Sequence, residues 1–278
     1  MDQYKAIAAT DFDGTLYRSD FSISLRNILT LRALIKKKVL RVIVTGRSFY
    51  SISRVINELF PVDYLIVSSG SGIYSMKTNE LIYKTSIPPE DVSSICKYLL
   101  KLGCDFVIHE PLPDNHYFYY QRTSKTNADF EKRLKFYPDF GKKLDISKTL
   151  SKHVSQFLIV DKPGSTLFKK IEQTLTNFTI IRTTSPLDHK SSWIEIFPKG
   201  TDKGSTLKYL ADLKGVDSVN VFTIGNDYND THMLRWAGSS FVVENAPSPL
   251  KEEFYTVSSN DNDGFTEAIN IWLSGLKL

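Results

Sequence analysis

The stretch IAATDFDGT, residues 7–15, decides the fold. Its apolar residues continue a run that begins at Tyr4, and a short apolar run of this kind is typical of a buried strand. Asp11 and Asp13 follow at the end of that strand, and because residues two apart face the same way, both carboxylates can point into one site. Gly14 allows a sharp turn out of the strand. Open α/β sheets bind ligands at such strand ends, so this acidic turn is a candidate functional site.

Outward from this turn, strand-like and helix-like segments alternate. In the first third of the chain, apolar runs predict strands at residues 4–10, 40–45 and 63–68, and apolar residues at helical spacing predict helices after Ser24 and over Phe49 to Leu59. In the last third, strands are predicted at 193–197 and 218–224, and helices at 203–213, from Asn229 onward and at 263–276. This alternation is typical of a doubly wound α/β core with a parallel, Rossmann-like sheet.

Residues 84–188 differ in sequence pattern from the segments on either side of them. They predict a helix at 88–103, strands within 104–121, at 154–161 and at 178–183, and a solvated surface over the basic stretch 122–152. Core-like segments flank them on both sides. We therefore predict two domains, a core made of residues 1–83 and 189–278 and an inserted α/β domain made of residues 84–188.

The composition excludes several classes of function. The chain has 278 residues, with 35 Lys and Arg against 31 Asp and Glu, and this small excess of positive charge does not indicate a nucleic-acid-binding face. The two cysteines form no disulfide framework, no apolar run is long enough to cross a membrane, and the amino-terminal residues lack the layout of a signal peptide. We expect a cytoplasmic protein that acts on a small molecule, without nucleic-acid or membrane partners. No feature of the sequence specifies an oligomeric state.

The paired carboxylates of Asp11 and Asp13 indicate a chemistry. One of them can attack phosphorus and form an aspartyl-phosphate. The other can protonate the leaving oxygen and then deprotonate the attacking water. Two anions this close together also favour a bound cation. The alternative interpretation is a solvated turn of ordinary acidic residues, which the DxD pattern by itself leaves open.

Three further segments favour the chemical interpretation. Thr45 and Gly46 lie at the tip of the second predicted strand, where Gly46 lets the backbone approach a ligand, although Thr45 could equally cap a helix. Lys203 lies at a predicted helix start, where its ammonium can balance phosphate charge, and Lys199 is its rival for that role. The segment TIGNDYND, residues 223–230, offers hard oxygen donors that suit Mg²⁺, although helix capping also explains them.

Together and in this order, DFDGT, the Thr of VIVTGR, Lys203 and GNDYND resemble the four motifs of the haloacid dehalogenase-like hydrolase superfamily. SSGSGIYS (68–75), ENAP (244–247) and SSNDNDGFTEAI (258–269) resemble its Cof-type, class IIB branch, which includes sugar-phosphate phosphatases. In that branch a large α/β cap, which sets substrate specificity, is inserted between the second and third motifs. Residues 84–188 have the size and place of this cap.

The resemblance implies a role for each matching residue. Asp11 is implied as the nucleophile and a metal ligand, and Asp13 as the acid/base, with its backbone carbonyl on the metal. The resemblance implies phosphate binding by the backbone N–H of Phe12 and by Thr45, Gly46, Arg47, Lys203 and Asn229. The family usually has Asp where this chain has Asn226, so either Asn226 or the adjacent Asp227 is expected to bind the metal. Asp230 is expected to hold the site together without touching the metal.

These roles imply a Mg²⁺-dependent phosphatase that hydrolyses a small phosphorylated metabolite, a sugar phosphate above all, through an aspartyl-phosphate. A phosphosugar mutase or phosphotransferase of the same fold would use the same first half-reaction and is the first alternative. A catalytically inactive regulator that binds a phosphorylated metabolite is the second, and its motivation is Asn226 alone.

Overall fold

The computed structural model describes residues 4–145 and 151–275. The chain divides into two compact units. Unit 1 contains the chain up to Tyr83 and from Asp202 onward, and unit 2 contains Lys84–Thr201. Unit 2 is therefore an insertion between the two parts of unit 1. Within the described ranges, no helix is both long and apolar enough to span a membrane.

Unit 1 is built on an eight-stranded, mostly parallel sheet. Its strands are β1 (Ala6–Thr10), β2 (Val39–Val44), β3 (Tyr64–Val67), β4 (Gly72–Ser75), β5 (Glu80–Lys84), β12 (Val221–Gly225), β13 (Ser239–Val243) and β14 (Tyr255–Val257). Their order in the sheet is β14-β13-β12-β1-β2-β3-β4-β5. The strands from β14 to β3 pair in parallel, and β4 runs antiparallel to β3. β1 and β2 are buried over their whole length, as expected for parallel strands that are covered on both faces.

The α-helices of unit 1 are α1 (Leu25–Lys36), α2 (Phe49–Ile52), α6 (Lys203–Lys214), α7 (Thr231–Trp236), α8 (Ser248–Glu253) and α9 (Gly264–Gly275). Capping residues mark the start of α1 and the end of α6. Ser24 caps α1 by accepting the backbone N–H of Asn27. α6 ends at Gly215, whose φ of 68° is the left-handed conformation that closes many helices.

Unit 2 contains a second sheet with helices on both faces. Its strands are β6 (Phe106–His109), β7 (Phe118–Gln121), β8 (Gly141–Lys143), β9 (Gln156–Asp161), β10 (Phe178–Thr184) and β11 (Ser192–Pro198), in the order β10-β11-β9-β6-β7-β8. Its helices are α3 (Pro89–Lys101), α4 (Ala128–Phe136) and α5 (Leu167–Thr174). Side chains alternate along the strands. Phe106 and Ile108 pack with residues of α3 and α5, whereas Val107 packs with Phe130 of α4.

The prediction of a parallel α/β core with an inserted α/β domain is confirmed. The predicted second boundary is wrong, because residues 189–201 belong to unit 2. The apolar run at 193–197 is a strand, as predicted, but it lies in β11, which pairs with β9 and β10 in the sheet of unit 2.

Two local predictions are also wrong. The helix predicted over Phe49 to Leu59 ends at Ile52, and Leu59 is 80% exposed. The basic stretch 122–152 is not simply a solvated surface, because it contains α4, which buries Phe130. Residues 146–150 of that stretch lie outside the described ranges.

Candidate active site

The carboxyl ends of three adjacent strands bring the predicted residues of unit 1 together. Asp11 follows β1, Thr45 follows β2 and Asn226 follows β12. β1 pairs in parallel with β2 on one side and with β12 on the other, so the three strand ends meet at one edge of the sheet. The two neighbours of β1 come from opposite parts of the chain. This edge is therefore a point where the strand order reverses, which is where open α/β sheets bind ligands.

Three of the predicted side chains form a buried ionic cluster. The Lys203 ammonium donates to Asp11 Oδ1 at 2.7 Å and to Asp230 Oδ1 at 2.6 Å. Thr15 Oγ1 donates to the other carboxylate oxygen of Asp11 at 2.9 Å. Asp11 is 5% exposed, and Lys203 and Asp230 are less exposed still. One ammonium thus faces two buried carboxylates, and the cluster carries a net negative charge when both are ionised.

The pKa values of the cluster reflect this imbalance. The pKa of Asp11 is raised to about 7, first by burial and then by the negative charge of Asp230, against the opposing charge of Lys203. Burial acts to lower the pKa of Lys203, but the two carboxylates outweigh it and raise that pKa above its ordinary value. The two pKa values both rise because two carboxylates stabilise the charge of Lys203, whereas Asp11 shares that single ammonium with Asp230.

Close backbone packing fixes the start of α6, where Lys203 lies. The Asp202 carboxylate caps the first turn of this helix. A Cβ on Gly204 would lie 2.5 Å from a backbone carbon of His232, so the absence of a side chain lets α6 approach α7. A Cβ on Gly70 would lie 2.4 Å from the carbonyl oxygen of Asp202. Lys203 is therefore held on a rigid support.

Asp13 has surroundings that differ from those of Asp11. Its side chain is 48% exposed, and the Arg47 guanidinium donates to both of its carboxylate oxygens, from Nε at 2.7 Å and from Nη2. The same guanidinium lies 5.2 Å from the ring centroid of Phe12 and 5.3 Å from that of Tyr17. One acid of the pair is thus buried and the other is accessible to solvent, and such a contrast suits two different chemical roles.

In the turn after β12, the two candidate metal ligands, Asn226 and Asp227, make different contacts. Asp230 Oδ2 accepts the backbone N–H groups of Asn226 at 2.8 Å and of Asp227 at 3.0 Å. The Asp227 carboxylate accepts the N–H of Tyr228 at 2.8 Å and caps the 3₁₀ turn that follows. A Cβ on Gly14 would lie 2.4 Å from Asn226 Nδ2. The Asn226 amide therefore reaches the DFDGT turn, whereas the Asp227 carboxylate is engaged as a cap.

These residues fit a hard divalent cation. In the part of the chain that the structure describes, no three His, Cys, Asp or Glu side chains are grouped so as to hold a metal ion. A cation here would draw on mixed oxygen donors: the Asp11 carboxylate, the Asn226 amide oxygen and the Asp13 backbone carbonyl. The negative charge of the buried cluster favours a cation, and hard oxygen donors in small number are the set that Mg²⁺ accepts.

The predicted phosphate-binding residues converge beside the strand ends. Thr45 is buried, and its Oγ1 accepts the backbone N–H of Arg47 at 3.1 Å. A Cβ on Gly46 would lie 3.6 Å from Ser69 Oγ and 3.9 Å from Asn229 Nδ2, so these groups surround the glycine. Ser69 was not among the predicted site residues. It has a φ of 53°, which few residues other than glycine adopt and which no sequence pattern signals.

Lys199, the alternative to Lys203 as the lysine that balances phosphate charge, belongs to unit 2. Its ammonium donates to the backbone carbonyl of Thr176 at 2.8 Å. Lys203 is the residue that reaches Asp11.

Comparisons with known proteins identify the family of the chain. Residues 8–269 match the family model described as haloacid dehalogenase-like hydrolase. A Buchnera aphidicola protein, provisionally named a phosphatase, is 28% identical over 276 residues, with 95% of each chain covered. The 5-amino-6-(5-phospho-D-ribitylamino)uracil phosphatase YwtE of Bacillus subtilis is 26% identical over 286 residues, covering 96% of this chain and 98% of the relative. Among solved structures, the phosphatase BT1666 of Bacteroides thetaiotaomicron has a TM-score of 0.81 at 20% identity, covering 97% of this chain and 96% of that one. The HAD subclass IIB sugar phosphatase BT4131 has a TM-score of 0.76 at 21% identity, covering 96% and 99%.

Proposed function

The chain belongs to the haloacid dehalogenase-like hydrolase family, and we propose that it is a Mg²⁺-dependent phosphatase that hydrolyses a small sugar phosphate. The observation that carries this proposal is the contrast within one pair of acids. Asp11 is buried against Lys203 and Asp230, whereas Asp13 is exposed beside Arg47. Such a pair can divide nucleophilic and acid–base roles between its members.

The proposed reaction has two steps. The Asp11 carboxylate attacks phosphorus, the bond from phosphorus to the ester oxygen breaks, and the departing oxygen takes the proton of Asp13. Asp13, now a carboxylate, then removes a proton from water, and the resulting hydroxide attacks the aspartyl-phosphate. Inorganic phosphate leaves, and the Asp11 carboxylate is restored.

The surrounding residues orient and neutralise the phosphate. Lys203 supplies a buried positive charge next to Asp11. Thr45 directly precedes Gly46 in the chain, and a Cβ on Gly46 would lie 3.9 Å from Asn229 Nδ2. We assign phosphate contacts to these groups, to Arg47 and to the backbone N–H of Phe12. Mg²⁺, held by Asp11, the Asn226 amide and the Asp13 carbonyl, would reduce the repulsion between the carboxylate and the phosphate.

Unit 2 supplies the selection of substrate in this proposal. The Bacillus subtilis relative is named for an ester of a ribityl chain, which is a sugar alcohol, and it matches this chain over 96% of its length. We infer a substrate with a polyhydroxylated carbon skeleton. We also propose that the protein works in the cytoplasm.

A panel of phosphorylated sugars and p-nitrophenyl phosphate, assayed for phosphate release with MgCl₂ and with EDTA, tests the proposal. Release should require the metal. Asp13→Asn should lower turnover of sugar phosphates by about 10²–10⁴-fold, the usual contribution of general acid–base catalysis. Phosphate release from no ester would contradict the proposal, and isomerised sugar phosphate without free phosphate would indicate a mutase instead.

A further inference from the structure

Two asparagines outside the predicted site hold the turn that carries Asp13. Asn245 Nδ2 donates to the carbonyl oxygen of Gly14 at 2.8 Å. Asn245 Oδ1 accepts the backbone N–H of Asn260 at 3.1 Å, and Asn260 Nδ2 donates to the carbonyl oxygen of Tyr17 at 3.1 Å. We call this pair the asparagine clamp. It joins the loop after β13 and the loop after β14 to both ends of the turn at 14–17.

The turn has backbone hydrogen bonds of its own, two of which are long. The N–H of Gly14 donates to the carbonyl of Tyr17 at 3.2 Å and the N–H of Thr15 donates to the carbonyl of Phe12 at 3.3 Å, whereas the N–H of Tyr17 donates to the carbonyl of Phe12 at 2.8 Å. The asparagine clamp adds bonds to the carbonyl oxygens of Gly14 and Tyr17, at the two ends of the turn. Gly14 has a φ of 71°, a conformation that glycine adopts without strain but also leaves readily.

The two bonds of Asn245 require a side chain that both donates and accepts, which an amide does through two different atoms. The Asn245 side chain donates to Gly14 and accepts from Asn260 at the same time, and only a group with both functions can do so. An aspartate would set a carboxylate against the Gly14 carbonyl. Asn260 is 4% exposed, so its donor would lose its partner away from water if Tyr17 moved.

A second pair of contacts extends the support along the same segment. Asp261 accepts the backbone N–H of Ser19 at 2.8 Å, and Asp263 accepts the Arg18 guanidinium at 2.7 Å. The loop at 258–263 thus also contacts Arg18 and Ser19, which come directly after the turn. Asp13 precedes Gly14 directly and its side chain is not fixed by burial, so its position depends on this turn and on Arg47.

We propose that Asn245 and Asn260 are positioning residues, which hold the 14–17 turn so that the Asp13 carboxylate stays where it can protonate the leaving oxygen. The proposal rests on the proposed function, because it takes Asp13 as the general acid. It assigns a purpose to the segments ENAP and SSNDNDGF, which the reaction itself does not use.

The test compares Asn245→Ala with Asn262→Ala. Asn262 is the matched control, because it is an asparagine of the same loop region whose Nδ2 donates to Ser259 Oγ at 3.0 Å, at the surface, and not to the 14–17 turn. The rate of the first step is measured in single-turnover experiments, as release of the phenol from phenyl phosphate or of nitrophenol from p-nitrophenyl phosphate, which are alike in shape but differ in leaving group. The later hydrolysis of the aspartyl-phosphate, which also uses Asp13, does not enter this rate. Phenolate needs a proton to leave, and nitrophenolate does not.

We expect Asn245→Ala to lower the first-step rate by about tenfold or more for phenyl phosphate and by roughly threefold or less for p-nitrophenyl phosphate, since only the release of phenol depends on the acid. Asn262→Ala should leave both rates unchanged. Partial unfolding would lower both rates by one factor, so the ratio of the two rates separates a positioning role from a structural one.

Hydrogen exchange of the backbone supplies a readout that needs no activity. The amide protons of Gly14 and Tyr17 should exchange faster in Asn245→Ala than in wild type or Asn262→Ala. Equal losses for the two esters, or unchanged exchange at these amides, would overturn the clamp. A wild-type protein that releases phosphate from neither aryl ester nor any sugar phosphate of the panel, but whose exchange responds as expected, would overturn the proposed function instead.

Discussion

Replacing Asp11 by asparagine should stabilise the metal-free protein while it abolishes turnover. The change is nearly isosteric, and the side-chain oxygen of the introduced asparagine can still accept a hydrogen bond from Lys203 or Thr15. It removes one of the two buried carboxylates that share a single ammonium. The remaining pair, Lys203 and Asp230, is then balanced in charge.

The magnitude follows from the pKa of Asp11, which is raised from 3.8 to about 7. Because the folded state holds this proton more tightly than the unfolded chain, the contribution of Asp11 to stability is complete below pH 4 and is lost as the pH rises to 7. The loss is at most about 1.4 kcal/mol per pH unit, hence at most about 4 kcal/mol in all. We expect about half of this to appear, roughly 2 kcal/mol, because the denatured chain and local water relax around the charge.

The assay is urea unfolding at pH 5 and pH 8 in EDTA, with wild type, Asp11→Asn and Asp13→Asn. The advantage of Asp11→Asn over wild type should grow between the two pH values. Asp13→Asn is the control, because Asp13 is largely exposed and an exposed ion pair contributes about 1 kcal/mol or less. Addition of MgCl₂ should stabilise wild type more than Asp11→Asn, since the proposed metal site loses the Asp11 carboxylate in the variant.

An Asp11→Asn protein that is less stable than wild type at pH 8 in EDTA would refute this reasoning. In that case the attraction of Lys203 would outweigh both burial and the charge of Asp230. Turnover above a few per cent of wild type, with deamidation excluded, would separately show that Asp11 is not the nucleophile.

Three further perturbations test other parts of the molecule. Asn226→Asp should lower the half-saturating Mg²⁺ concentration in calorimetric titration, whereas Asp227→Ala should leave it in place, because the Asp227 carboxylate caps the next turn. The pKa of His109 is lowered to about 3, chiefly by burial and also by Arg133. The neutral imidazole therefore stabilises the folded protein fully above pH 6.5, and this stabilisation is lost as the pH falls, by up to about 1.4 kcal/mol per pH unit. In urea unfolding, His109→Gln should lose less stability than wild type between pH 7 and pH 5.5. Gly204→Ala should cost about 1–3 kcal/mol in the same assay, because the new Cβ meets the backbone of α7.

The sequence was sufficient to predict the strand ends of the core and the residues placed on them. Asp11, Thr45 and the turn at 225–230 each follow a short apolar strand, and parallel strands bring their ends to one edge. That inference needs only local patterns and one topological rule.

Local patterns could not predict which strand a given strand pairs with, or which backbone group a given side chain contacts. The run at 193–197 has the composition of a strand in any sheet, and its place in unit 2 is decided by pairing with residues 156–161. The choice between Asn226 and Asp227 depends on which side chain caps the following turn. The contact of Asn245 could not be predicted either, because its side chain donates to a backbone carbonyl that is distant in sequence, that of Gly14.

The position of the second junction between the units has a consequence for protein engineering. The chain returns to unit 1 at Asp202, which caps α6 and lies one residue before Lys203. The carbonyl of Asp202 also lies where a Cβ on Gly70 would collide with it. A chimera that takes its insert from a relative must therefore rejoin the host chain at Asp202 or earlier. A graft that extended through Asp202 would exchange the helix cap together with unit 2.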